Sequence, residues 1–263
     1  MRNSINLVLF QTDIIWEDPS ANYLNIEKYL DNIEEPVDLL ALPETFTTGF
    51  SMNADKYAGS GNETISWMRD IARKKQCALS GTVTIREGDH FYNRHYFVNK
   101  EGGLFQYDKR HLFKIGGEQD LFHPGKERVV VHVGAFRILL QTCYDLRFPV
   151  FSRCRGDYDA ILYAANWPGA RQHVWETLLR ARAIENQAYV IGINRSGGVD
   201  GEGVEYAGGS CLVNPLGIVT EQMDDAPGIR IIQLDINEVQ TLREKFPVSE
   251  DADDFSIRGV KME

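Results

Sequence analysis

Apolar residues fall along the chain in short, dense runs rather than in one long block. Runs rich in Val, Ile, Leu and Phe occupy residues 5–11, 38–42, 78–85, 92–99, 129–133, 136–143, 160–164, 189–194, 210–213 and 230–234, each of strand length. Between several of them the spacing changes to that of a helix. Tyr23, Ile26, Tyr29 and Leu30 would line one face of a first helix, Ile65, Met68, Ile71 and Ala72 a second, and Val174, Leu178, Ala181 and Ile184 a third. A shorter terminal helix is predicted over 236–245, stopped by Pro247. Strands alternating with helices predict α/β layering, and back-to-back strands over 78–107 and 128–143 predict hairpins and antiparallel edges within a mixed sheet. Each half of the chain runs strand, helix, strand, helix, strand and then hairpin, which hints at two similar sheets packed together. The acidic run SEDADD at 249–254 reads as a solvated end.

Composition removes several function classes. The 263 residues carry 38 acidic and 28 basic side chains, a formal charge of −10, with no Lys/Arg-rich run, so the footprint of a nucleic-acid binder is missing. No stretch approaches the roughly 18 apolar residues of a membrane span, and the N-terminal run is too short for a signal sequence. The four cysteines, Cys77, Cys143, Cys154 and Cys211, form no CxxC pair, which predicts free thiols in a reducing compartment, the cytoplasm. The sequons at Asn62 and Asn194 are then chance. Histidines at 90, 95, 111, 123, 132 and 173 lack metal-ligand spacing, and no metal or organic cofactor is expected. There is no GxSxG, GxxxxGK[ST], HExxH or Rossmann GxGxxG, and the Gly-rich stretch 197–209 reads as a loop.

Three polar groups at strand exits remain. Glu44 follows the apolar run LLALP, Lys109 closes a strand in QYDKRHLF, and Cys143 closes FRILLQTC. Taken singly, each has an ordinary reading: a capping or surface carboxylate, a solvated lysine, and a small buried hydrophobe.

Together, the segments LPETFTTGF, YDKRHLF and CYDLRFP resemble the three catalytic segments of the nitrilase superfamily of carbon-nitrogen hydrolases, in order and approximate spacing. The downstream stretches YAANWPGARQHVWETLLRARAIENQAYVIGINR and GGSCLVNPLG resemble later family blocks, so the similarity covers about 4–246. The subgroup most resembled is the ω-amidase type, which hydrolyses the side-chain amide of 2-oxo acids such as 2-oxoglutaramate and 2-oxosuccinamate. The resemblance implies a four-layer α-β-β-α sandwich of two mixed sheets covered by helices. It further implies a single carbon-nitrogen hydrolase domain over 1–263, a homodimer, and Glu118 as a second glutamate beside the lysine.

The chemistry suits the triad. An amide is a poor electrophile, so hydrolysis gains from a strong nucleophile and a thioester intermediate. Cys143 would be that nucleophile, with a lowered pKa that makes it alkylate faster than the other three thiols. Glu44 would take and return the proton, while Lys109 and the backbone N–H after Cys143, that of Tyr144, would stabilise the oxyanion. Phe50, Phe113 and Trp167 are candidate pocket walls. An anionic substrate requires a cation, for which Arg110, Lys114 and Arg171 are candidates, whereas Arg147 is expected to buttress the nucleophile loop through a carboxylate. Another carbon-nitrogen hydrolase activity, N-carbamoyl or aliphatic, and a non-catalytic scaffold on the same fold are the alternatives.

Overall fold

The computed structural model describes residues 2–259. Among these residues, twelve strands form two six-stranded sheets. In chain order they are β1 (Ser4–Gln11), β2 (Leu39–Ala41), β3 (Ala78–Glu87), β4 (His90–Val98), β5 (Leu104–Asp108), β6 (Val130–Val133), β7 (Phe136–Thr142), β8 (Ala160–Ala165), β9 (Tyr189–Asn194), β10 (Cys211–Val213), β11 (Val219–Gln222) and β12 (Gly228–Asp235). The first sheet has the order β12-β1-β2-β3-β4-β5 and the second β11-β10-β9-β8-β7-β6. In each sheet three parallel strands, β1-β2-β3 or β7-β8-β9, form the middle, and antiparallel partners flank them.

Strand alternation explains the layers. Ile5, Leu7 and Leu9 of β1 pack toward the second sheet with Ile138, Leu140, Leu162 and Ile191, forming the central core. Val8 and Phe10 point the other way, onto Tyr23, Ile26 and Leu30 of helix α1 (Pro19–Asp31) and Met68 and Ile71 of helix α2 (Gly61–Lys75). On the far side, Leu139, Ile161 and Val190 meet Trp175, Leu179 and Ala183 of helix α3 (Gln172–Asn186). The parallel strands are covered on both faces, which is why they read as unbroken apolar runs. Helix α4 (Ile236–Lys245) ends just before Pro247. The result is the four-layer α-β-β-α sandwich. No helix among the described residues is long and apolar enough to cross a membrane.

The face of α3 differs from the sequence expectation. The buried positions are Trp175, Leu179, Arg182, Ala183 and Asn186, while Ile184 is 56% exposed. Two polar residues hold the inward face: Arg182 donates to the Leu146 carbonyl at 2.6 Å, and Asn186 accepts from the Cys154 N–H at 2.8 Å. Apolar periodicity could not find a face that is partly polar. The edge strand β11, VTEQ, was also missed, because most of it is exposed and carries little apolar signal.

Candidate active site

Each candidate side chain leaves the end of a strand. Glu44 follows β2, where Thr45 adopts φ 41° and its N–H donates to Thr82 Oγ1 at 2.7 Å. Lys109 follows β5, its N–H donating to the Asn93 carbonyl at 3.0 Å. Cys143 follows β7 at φ 43° and opens a short 3-10 helix, Cys143–Arg147. A positive φ at a non-glycine costs about 1–3 kcal/mol and persists only where the surroundings enforce it. Here the enforcing residue is Asp145. Its carboxylate accepts from the Thr142 N–H (3.0 Å), Tyr107 Oη (2.6 Å) and the His111 N–H (2.9 Å), and lies 2.8 Å from His111 Nδ1. Burial beside Asp145 pushes the Tyr107 hydroxyl well up, so it stays a donor. The nucleophile turn of one sheet is thereby tied to the lysine segment of the other.

Glu44, Lys109 and Glu118 are all fully buried. Lys109 Nζ lies 2.8 Å from Glu44 Oε1 and 2.9 Å from Glu118 Oε2. Glu44 Oε2 accepts the Asn166 N–H at 2.9 Å, and Glu118 Oε2 accepts the Phe113 N–H at 2.6 Å. Burial lowers Lys109, but the charges of Glu118 and Glu44 together outweigh it, so the lysine is held firmly charged. Burial also raises Glu118, against the pull of Lys109. Cys143 Sγ is 3.9 Å from the Asn166 carbonyl, and the Glu44 charge acts on the thiol.

The thiol is where expectation and structure part. Burial first, and the Glu44 charge second, push Cys143 well above its ordinary value, outweighing Lys109. The resting residue is therefore a neutral thiol, because the lysine's charge is already matched by two carboxylates.

Phe50, Phe113, Tyr144, Trp167 and Arg171 line one pocket of about 210 Å³ with Glu44, Lys109 and Cys143, and Glu118 sits behind the lysine. Phe50 lies under Lys109 Nζ (5.2 Å to the ring centre), Phe113 under Arg171 (5.4 Å) and Trp167 under Arg147 (5.3 Å). Arg147 has no carboxylate partner among the described residues and lines the pocket, so it does not buttress the loop as expected. Arg110 instead donates to the Gly125 carbonyl at 3.0 Å. Neither it nor Lys114 lines the pocket. Asp200 Oδ1 accepts from the Glu202 and Val204 N–H groups and Oδ2 from Tyr206 Oη, folding the Gly-rich loop into the remaining wall.

Asn93, Asn166 and Asp145 were missed from the sequence. Asp145 had a legible signal, an acid three residues beyond Thr142 at a strand-to-helix turn, which is the spacing of a capping box. The two asparagines had none.

The chain matches the carbon-nitrogen hydrolase family over residues 7–244. It belongs to that family. This carbon-nitrogen hydrolase is 42% identical over 256 residues to "Omega-amidase YafV" of Yersinia enterocolitica, covering 97% of this chain and 99% of that protein. It is 33% identical over 247 residues to the 2-oxoglutaramate amidase of Bacillus subtilis, covering 92% and 95%. Its fold is similar to that of XC1258 from Xanthomonas campestris, a CN-hydrolase superfamily protein with an arsenic adduct in its active site, at TM-score 0.94 and 38% identity, covering 97% of this chain and all of that one.

Proposed function

We propose that this enzyme hydrolyses the side-chain amide of small 2-oxo dicarboxylate monoamides, such as 2-oxoglutaramate and 2-oxosuccinamate, to the 2-oxo acid and ammonia. One observation carries the substrate class: Arg147 and Arg171, both without a carboxylate partner among the described residues, line the same small pocket as Cys143. Both are half-buried at the pocket wall, and a cation there with no carboxylate partner favours an anionic ligand. The names of the two curated relatives agree with that reading.

In the proposed mechanism Glu44 takes the Cys143 thiol proton as sulfur attacks the amide carbonyl, since the thiol does not ionise by itself. The new C–S bond leaves a tetrahedral oxyanion, held by Lys109 and by the Tyr144 N–H in the first turn of its short helix, where backbone donors lack intrahelical partners. Collapse breaks the C–N bond, and Glu44 returns its proton to the departing ammonia. Water, deprotonated by Glu44, then cleaves the thioester and restores the thiol. Glu118 holds Lys109 in place.

The free cysteines fit a cytoplasmic setting. A homodimer is supported by Ile184, Leu216 and Ile218, all more than half exposed on the helix-covered side of the second sheet. Light scattering on the purified protein tests it.

Ammonia release from 2-oxoglutaramate, 2-oxosuccinamate, glutamine, an aliphatic amide and an N-carbamoyl amino acid tests the function. The 2-oxo acid amides should lead the aliphatic amide by about a hundredfold or more in kcat/KM, the scale of one unmet charged contact. Equal rates would move the assignment to a general amidase, which the apolar walls Phe50, Phe113 and Trp167 would also suit.

A further inference from the structure

Asn93, on β4 and 2% exposed, places its side chain between two carboxylates. Its Nδ2 is 2.8 Å from Glu44 Oε1 and 3.1 Å from Glu118 Oε1. An amide nitrogen carries two hydrogens, so both bonds form at once. The Asn93 carbonyl also accepts the Lys109 N–H, which sets the point from which the lysine reaches the site. The other neutral donors serve one carboxylate each: the Asn166 N–H bonds Glu44 and the Phe113 N–H bonds Glu118.

The charge balance gives this amide its importance. Facing the two carboxylates are Lys109 from the end of β5, Cys143 from the end of β7 and Tyr206 from the loop after β9, and Lys109 supplies the one positive charge among them. Two buried carboxylates sharing one cation have a strong tendency to trap a proton. A trapped proton would leave Glu44 unable to accept another from the thiol.

We propose that Asn93 is a positioning residue whose shared amide keeps both carboxylates ionised and Glu44 turned toward Cys143, so that Glu44 meets the thiol as a base. This rests on Glu44 being the base, as proposed above. Donors to the ionised form lower proton affinity, so losing them raises it. The acid limb of the kcat/KM profile, which reports the free enzyme, then moves to higher pH.

The test is the pH profile of Asn93→Leu and Asn93→Ala with 2-oxoglutaramate, on variants shown by circular dichroism and a cooperative melt to be folded. Asn93→Leu keeps most of the side-chain volume and loses the amide donor without adding a charge, which guards against failure of the smaller side chain to fold. The expected result is an acid limb raised by about one pH unit or more, with kcat at pH 7 down at least about tenfold, KM within about threefold, and recovery of Asn93→Ala as pH rises. A folded variant whose acid limb stays at the wild-type position overturns the inference, however low its rate, because a merely structural role scales the profile without moving it. Glu44→Gln, measured alongside, separates the two claims. Substantial turnover there sinks the base assignment, whereas an inactive Glu44→Gln with unshifted Asn93 variants sinks the Asn93 role alone.

Discussion

Replacing Lys109 by Met removes the cation from between two fully buried carboxylates while keeping most of the side-chain volume. Glu44 and Glu118 then face each other with only neutral donors, and the cheapest escape is for one of them to take up a proton. Protonating a carboxyl group of ordinary value 4.5 costs about 1.36 kcal/mol per pH unit above that value. The penalty through this route is about 5 kcal/mol at pH 8 and about 1.4 kcal/mol at pH 5.5. The sign follows from linkage: a group whose folded pKa is raised above its unfolded one contributes stability that is present below the unfolded value and lost as pH climbs through the folded one. The variant should therefore weaken more steeply than the wild type as pH rises, because the wild type's lysine draws against the raising of Glu118. At about 2–4 °C per kcal/mol for a chain of this size, Tm should fall by roughly 10–20 °C at pH 8 but only about 3–6 °C at pH 5.5. Differential scanning calorimetry of both proteins at both pH values measures it. An equal loss at the two pH values would refute the argument, since it would mean that Lys109 matters by packing and not by holding two negative charges apart.

Cys143→Ala should fold normally and release no ammonia, and quenched wild-type reactions should show an acyl adduct on the Cys143 peptide by mass spectrometry; an adduct on Cys77, Cys154 or Cys211 would reassign the nucleophile. Because burial and Glu44 raise the Cys143 thiol, its alkylation by iodoacetamide should keep accelerating beyond pH 9, and a plateau near neutrality would show a preformed thiolate. The losses in turnover from Glu44→Gln and Lys109→Ala should not multiply in the double variant, as expected of groups acting as one unit. Arg147→Met and Arg171→Met should each cut kcat/KM for 2-oxoglutaramate by about tenfold or more while barely changing that for an aliphatic amide, and equal losses on both would show that neither reads the substrate's charge.

The layering was legible because strands buried on both faces must be apolar throughout, and runs such as LVLF in β1 and ILL in β7 announce that directly. Glu44, Lys109, Cys143 and Glu118 were legible only through the family resemblance of the segments around them, since each taken singly had an ordinary reading as a cap, a solvated charge or a small buried side chain. Asn93 was hidden by its setting: a polar residue in YNRHYFV cannot be told from an outward-facing one until strand parity and the opposite sheet are known. Arg147 was misassigned because the sequence shows a guanidinium beside the nucleophile but not whether a carboxylate comes within reach. The Cys143 thiol was misjudged for a related reason, as its ionisation depends on counting every charge around Lys109, and Glu44 and Glu118 reach that lysine from separate parts of the chain.

The first sheet is made from both ends of the chain, with β12 pairing along the whole of β1 from Ser4↔Asp235 to Gln11↔Gly228, whereas the second sheet comes entirely from the middle. On the ribosome, residues 130–222 can therefore complete their sheet while the first still has a bare edge at β1, and such long-range closure is the slow kind. The reacting groups are divided between the two sheets, with Glu44 and Lys109 on one and Cys143 on the other. A nascent chain should thus acquire its thiol turn early and its competence late, when the final strand docks.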